Sequence, residues 1–171
     1  MATSVLNANF TAFASEIPAV VSRIETLKAT YEEHQHRIYN LAFYLTDNEL
    51  TAESISARVF TNVFSANPTP SAETLDRALI SAVREEMPIG TLTLEVPNTI
   101  GAMNARRNVK RAILERAVMT VPATERAIFL MHDVEGYDHS RIARTLDIST
   151  DESVNGLHQA RLAVRREVAK F

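Results

Sequence analysis

Apolar residues recur along most of this chain at the three- and four-residue intervals of an α-helix. Val20, Ile24 and Leu27 lead into Tyr31, Ile38, Leu41, Ala42 and Leu45, which predicts one long helix or two in succession. Thr46, Asp47, Asn48 and Glu49 break that pattern and can cap the next helix. Ala52, Ile55, Val59, Phe60 and Val63 define that amphipathic helix, ended by the Pro-containing stretch 65–70. A shorter helix from about residue 72 carries Leu75, Leu79, Ala82 and Val83, and Pro88, Ile89 and Gly90 stop it. Residues 91–104 lose the helical period and read as a docked, extended linker rather than a strand. A helix then runs over about 105–119, with Val109, Ile113, Leu114 and Ala117 on its buried side. Upstream of all these, Phe10, Phe13 and Ile17 predict an amino-terminal helix packed on the first bundle.

The most specific pattern lies at residues 121–165. Ile142, Ala143 and Leu146 give a short helix an apolar stripe, Asp147 and Ile148 form a turn, and a second helix opens on Ser149, Thr150, Asp151 and Glu152. That opening is a capping box: the Ser149 hydroxyl can accept from the Glu152 amide while Glu152 reaches back. The small Ala143 lets the two helices cross closely, as a helix-turn-helix requires. Such units most often lay their second helix in the major groove of DNA. On that helix Val154, Leu157, Ala160, Val164 and Val168 are expected to face the core.

Composition sharpens the picture. The 171 residues contain no cysteine, which excludes disulfides and thiolate metal sites and fits a cytoplasmic protein. No apolar run approaches the ~20 residues of a membrane span, and the first residues lack the pattern of a secretory signal. The net charge of −3 is unevenly placed. Residues 1–90 carry six basic side chains against eleven acidic ones, and residues 91–171 carry twelve against ten. Only the carboxyl half can offer a polyanion surface, and alone it should bind DNA poorly, because phosphate contacts supply most non-specific affinity.

This layout resembles the extracytoplasmic-function (ECF) sigma factors, the small promoter-recognition subunits of bacterial RNA polymerase. The stretch VPATERAIFLMHDVEGYDHSRIARTLDIS is similar to the family's "LP…R.vf.L…EG.s..EIA..LgIs", and Leu157, His158, Gln159, Ala160 and Arg161 resemble the "LHRAR" that comes after it. Ile38, Tyr39, Asn40, Leu41 and Ala42 look like "vyrlA". Ala52, Glu53, Ser54 and Ile55 with Val59 and Phe60 look like "AEDl…vF". The resemblance implies an all-α fold of two small helical domains: a region two-like bundle over 1–88, a linker over 89–104 and a region four-like helix-turn-helix domain over 105–171. It implies docking on the β′ clamp of the polymerase core, binding of double-stranded promoter DNA, and an anti-sigma partner able to clamp both domains.

Carried over residue by residue, the −35 contacts fall on Ser149, Thr150, Asn155, His158, Gln159, Arg161, Arg165 and Arg166, with Ser140, Arg141 and Arg144 from the first helix of the motif. Core docking falls on Glu53, Ser54, Arg58 and Asn62, and the −10 region on Arg77 and Arg84. Asn155 and Gln159 have the bidentate amides that read adenine edges, and the arginines suit phosphate. Several positions depart from the family pattern. Ser54 and Ala57 stand where the family commonly has Asp and Gln, Ala78 stands where it has Trp, and Val154 and Gly156 stand at two cationic positions. Asp147 occupies the usual turn glycine, and Gly156 inside a helix costs about 1 kcal/mol relative to Ala. Glu85 and Glu86 would repel phosphate where melted DNA should lie.

Those departures keep a second reading open: a sigma-like protein that binds an anti-sigma or other protein partner without recognising promoters. A stand-alone helix-turn-helix repressor ranks last. No enzyme is expected, since the chain has no glycine-rich phosphate loop, serine elbow or His–Glu metal motif. No cofactor and no metal are expected either. His34 and His36 are two apart on a helix and point about 200° from each other, and Asp133, Glu135 and Asp138 read as a loop cluster without catalysis.

Overall fold

The structure is a computed structural model that describes residues 3–67, 69–94 and 110–171, with side chains from residue 20 onward. Helix α1 spans Thr3–Thr46 without interruption, so the first periodic run forms one helix rather than two. Its carboxyl third is buried through Ile38, Leu41, Ala42 and Leu45. Asp47 ends it in the left-handed region (φ 54°), with its amide donating to the Phe43 carbonyl at 2.7 Å. Asn48 then caps α2, Glu49–Ala66, by accepting from the Thr51 amide at 2.9 Å. Helix α3, Ala72–Arg84, is capped by Ser71.

The carboxyl-terminal helices are α4, Arg111–Met119; α5, Ala123–Phe129, which runs on into a π-helical turn, Leu130–Val134; α6, His139–Leu146; and α7, Thr150–Val168. Every described element is helical. The expected buried faces of α2, α3 and α6 are buried as the periodicity predicts. Two positions differ. Leu114 is 42% exposed on α4 and Val154 is 49% exposed on α7. On α7 the other expected positions, Leu157, Ala160, Val164 and Val168, are buried, and Ser153, Gly156, Leu162 and Ala163 join them, the close approach to the linker being made at Gly156. Residues 105–109 of the predicted fourth helix, and the side chains of Phe10, Phe13 and Ile17, lie outside the described residues.

Helices α1–α3 and α4–α7 pack against each other, and their buried side chains join one continuous core. Polar groups stitch the seam. Arg126, only 8% exposed, donates through Nη2 to the Leu45 carbonyl and through Nη1 to the Met119 carbonyl, both at 2.8 Å. It thereby satisfies a carbonyl of the last turn of α1, which has no partner within its own helix. Burial pushes the Arg126 pKa down while nearby Asp47 pulls it up.

Candidate nucleic-acid interface

The helix-turn-helix is set by three local devices. Asp138 caps α6, accepting from the Arg141 amide at 2.7 Å. Asp147 takes a left-handed conformation (φ 57°, ψ 50°), which turns the chain sharply and lets the Ile148 amide reach the Ala143 carbonyl at 3.1 Å. The capping box then starts α7 with both of its bonds: Glu152 amide to Ser149 hydroxyl at 3.1 Å, and Ser149 amide to Glu152 carboxylate at 2.7 Å. Those bonds hold the Glu152 carboxyl below its usual range. Between the helices, His139 Nδ1 lies 2.9 Å from Ser153 Oγ, and its ring stacks on His132 at 4.7 Å.

Ser149, Thr150, Asn155 and His158 are exposed on α7, and Gln159 is half-buried. This is the face expected to read bases. Its cations are arranged less simply. Arg165 and Arg166 are exposed. Arg161 is held by Asp133 through two bonds, at 2.6 and 3.0 Å. Burial alone would raise the Asp133 pKa, but the bonds from Arg161 and His132 outweigh it and leave the carboxyl below its usual range.

The first helix of the motif turns toward α3. Arg141 Nη2 lies 2.5 Å from Asp76 and its guanidinium carbon stands 3.6 Å above the Tyr137 ring. Arg144 pairs with Glu73 at 3.1 Å, and its guanidinium holds the Glu73 carboxyl below the usual range. Asp76 is fully buried and also receives Arg37 of α1 and the Tyr137 hydroxyl. Burial, then the Asp76 charge, pushes the Tyr137 pKa up to about 12. Ser140 is exposed. The two arginines expected to touch phosphate therefore already hold carboxylates, in the geometry of charge-assisted bonds.

The linker is pinned on the same unit. Glu125, fully buried, accepts the Thr93 and Leu94 amides at 2.5 and 2.6 Å through one oxygen, and Gly90 donates to the Thr124 hydroxyl at 3.0 Å. Gly156 is what admits Leu92. A Cβ at that position would stand 2.8 Å from Leu92 Cδ2 and 2.5 Å from Ile128 Cδ1. The glycine that reads as a weakness in the helix is thus the slot into which the linker docks.

The remaining predicted residues fall on the amino-terminal helices. Glu53, Ser54 and Asn62 are exposed on α2, with Glu53 beside a groove lined by Tyr31, His36, Tyr39 and Phe60. Arg58 is drawn aside to Glu85 at 2.9 Å and to the Ala82 carbonyl at 3.1 Å. Arg77 pairs with Glu73 at 2.8 Å, and Arg84 donates to the Ile89 and Leu146 carbonyls at 3.2 and 2.5 Å. Both −10 candidates are engaged within the protein.

Glu73, Asp76, Glu125 and Tyr137 are the residues that sequence reasoning missed. The one available signal was Asp76 among the apolar residues of α3. Among the described residues no helix is long and apolar enough to cross a membrane. A comparison with curated proteins found no match. Residues 111–164, about a third of the chain, match the family described as Sigma-70, region 4, so the helices that carry the capping box and its exposed face are similar to that DNA-binding unit of the sigma-70 family.

Proposed function

We propose that this chain is an ECF-type sigma factor, a non-catalytic promoter-recognition subunit of bacterial RNA polymerase that acts in the cytoplasm. The observation that carries the reading is the region 4 similarity over 111–164, falling on a helix-turn-helix whose second helix begins in a complete capping box with Ser149, Thr150 and Asn155 exposed. In this reading α7 enters the major groove of the −35 element. Asn155 and Gln159 address base edges, and Arg165 and Arg166 with Arg141, Arg144 and Arg161 address phosphate. Glu53, Ser54, Arg58 and Asn62 meet the β′ clamp. The division into 1–88, 89–104 and 105–171 then corresponds to region two, linker and region four.

The closed packing sets a condition on that function. Arg141 and Arg144 are available to phosphate only once α3 has moved away from α6, since Asp76 and Glu73 occupy them. Binding of the polymerase core to the amino-terminal helices would favour the open arrangement by taking up the difference in energy between the two states. Reconstitution with polymerase core and a genomic promoter pool tests the proposal. Transcripts from defined starts, lost in an Asn155→Ala, Gln159→Ala double variant, are expected.

One set of contacts favours the second reading. The same acid–base closure suits a protein whose partner is another protein, an anti-sigma, and whose Arg141 and Arg144 stay permanently engaged by Asp76 and Glu73. Absence of core binding together with tight capture of an anti-sigma would support that reading and overturn the first.

A further inference from the structure

Val154 is the one large apolar side chain that α7 leaves exposed, at 49%. Leu157, Leu162, Val164 and Val168 of the same helix all reach the core, and Val154 stands outside it. Helix propensity does not account for the residue either, because a β-branched side chain loses χ1 freedom in a helix and is a weaker helix former than Ala, Leu or Lys. Its neighbours give it a setting. Asp151, Val154, Asn155 and His158 are all exposed, and their spacing of three, four and seven residues sets them side by side over the first two turns.

In a helix-turn-helix the amino-terminal turns of the second helix meet base edges. This stripe therefore belongs against the floor of the groove rather than the backbone. Charge points the same way. Asp151 is an exposed carboxylate in the first turn, which phosphate repels and base amino groups suit. The exposed cations Arg165 and Arg166 come about three turns after Val154. On the major-groove edge guanine, cytosine and adenine present hydrogen-bonding groups, and thymine alone adds a methyl group. An apolar branched side chain is complementary to that methyl and to none of the polar groups. Asn155 is the next residue, with its Cα about 3.8 Å from that of Val154. Successive base pairs are about 3.4 Å apart, so the two side chains address the same or adjoining pairs.

We propose that Val154 is a specificity-determining residue that packs on the C5 methyl of a thymine, within one base step of the adenine addressed by Asn155. This role rests on the promoter-binding reading above and deepens it to one base and one atom. The test uses the chain assembled with polymerase core. Selection from duplexes randomised over the −35 element gives the preferred sequence, and uracil is then placed at each of its thymines in turn, which removes only the methyl group. One position should lose about fourfold in affinity, the effect of withdrawing one buried methyl. That thymine should pair with or adjoin the adenine whose preference disappears in Asn155→Ala. Val154→Ser, at an exposed site, should leave the unfolding midpoint unchanged and bind thymine and uracil equally at that position. A defined −35 sequence without any uracil-sensitive position overturns the role of Val154 and leaves promoter recognition standing. A uracil effect that persists in Val154→Ser overturns it too, because another group then meets the methyl. Failure to enrich any −35 sequence removes promoter recognition and this role with it.

Discussion

Arg141 of α6 and Asp76 of α3 meet at 2.5 Å, sixty-five residues apart in sequence, and between them join the two halves of the protein. Asp76 is fully buried and takes donors from Arg37, Arg141 and Tyr137, so its charge is surrounded by partners rather than solvent. Arg141 is more open, and its guanidinium carbon stands over the Tyr137 ring. The pair is both a structural bond and an obstacle, because it occupies an arginine that DNA would otherwise use.

Removing the acceptor is therefore expected to have two effects. Asp76→Ala leaves Arg37 and Arg141 facing an empty, desolvated position and should lower stability by about 3 kcal/mol, as when one partner of a buried ion pair is deleted. Denaturant unfolding measures this. Glu73→Gln, at the exposed rim, should leave the unfolding midpoint unchanged while releasing Arg144. Its signature is DNA affinity. The dependence of log K on log salt should steepen by about 0.9 for one additional phosphate neutralised. An unchanged salt slope would mean that α3 does not compete with DNA for Arg144.

The slot at Gly156 predicts an apparent paradox in helix propensity. Gly156→Ala should gain about 1 kcal/mol as a helix former. The added methyl collides with Ile128, which is fully buried, and with Leu92 of the linker. Overpacking of this kind typically costs about 1–3 kcal/mol, so a net loss near 1 kcal/mol is expected. Leu92→Ala in the same chain should recover part of that loss. Faster amide exchange at Thr93 and Leu94, whose hydrogens point to Glu125, should accompany Gly156→Ala if the linker has left its slot. Unaltered exchange would place the strain at Ile128 alone.

At Asp147 the backbone is left-handed, a region where a side chain costs roughly 1 kcal/mol and glycine almost nothing. Asp147→Gly should accordingly raise stability by about 0.5–1 kcal/mol, read as a higher denaturant midpoint with an unchanged slope. The same change removes a carboxylate three residues before the exposed start of α7. Stronger binding of duplex DNA by the variant is expected with it. A stabilised variant with unaltered DNA binding would separate the turn from the interface.

Much of this was legible in the sequence because it is local. The capping box, the cap before α2 and the buried faces of α2, α3 and α6 each arise from residue types three or four apart. The docking of α3 on α6 was not legible, because it depends on Glu73 and Asp76 meeting residues some seventy positions away. The exposure of Val154, at the edge of the buried face of α7, was not legible either. A glycine in a helix looks like a cost until Leu92 is seen beside it. The pairing of Arg141, Arg144 and Arg161 with carboxylates was equally out of reach, because Asp76, Glu73 and Asp133 are distant from them in the chain.

His139 gives the helix-turn-helix a pH response. Its Nδ1 meets Ser153 at 2.9 Å, bridging α6 and α7, and it opens α6, where the helix dipole disfavours a positive charge. Burial, the neighbouring His132 and then Arg161 depress its pKa below 6.5, against a smaller opposing pull from Asp138. The folded state thus binds this proton less readily than the unfolded chain. By linkage the contribution is fully present above pH about 6.5 and is lost as pH falls through the depressed folded value. Melting temperature tracked from pH 8 to pH 5 should fall more steeply for the wild type than for His139→Asn, whose amide can still bond Ser153 but does not titrate. Parallel curves would show that His139 protonates equally in both states and that the bridge to α7 carries no pH dependence.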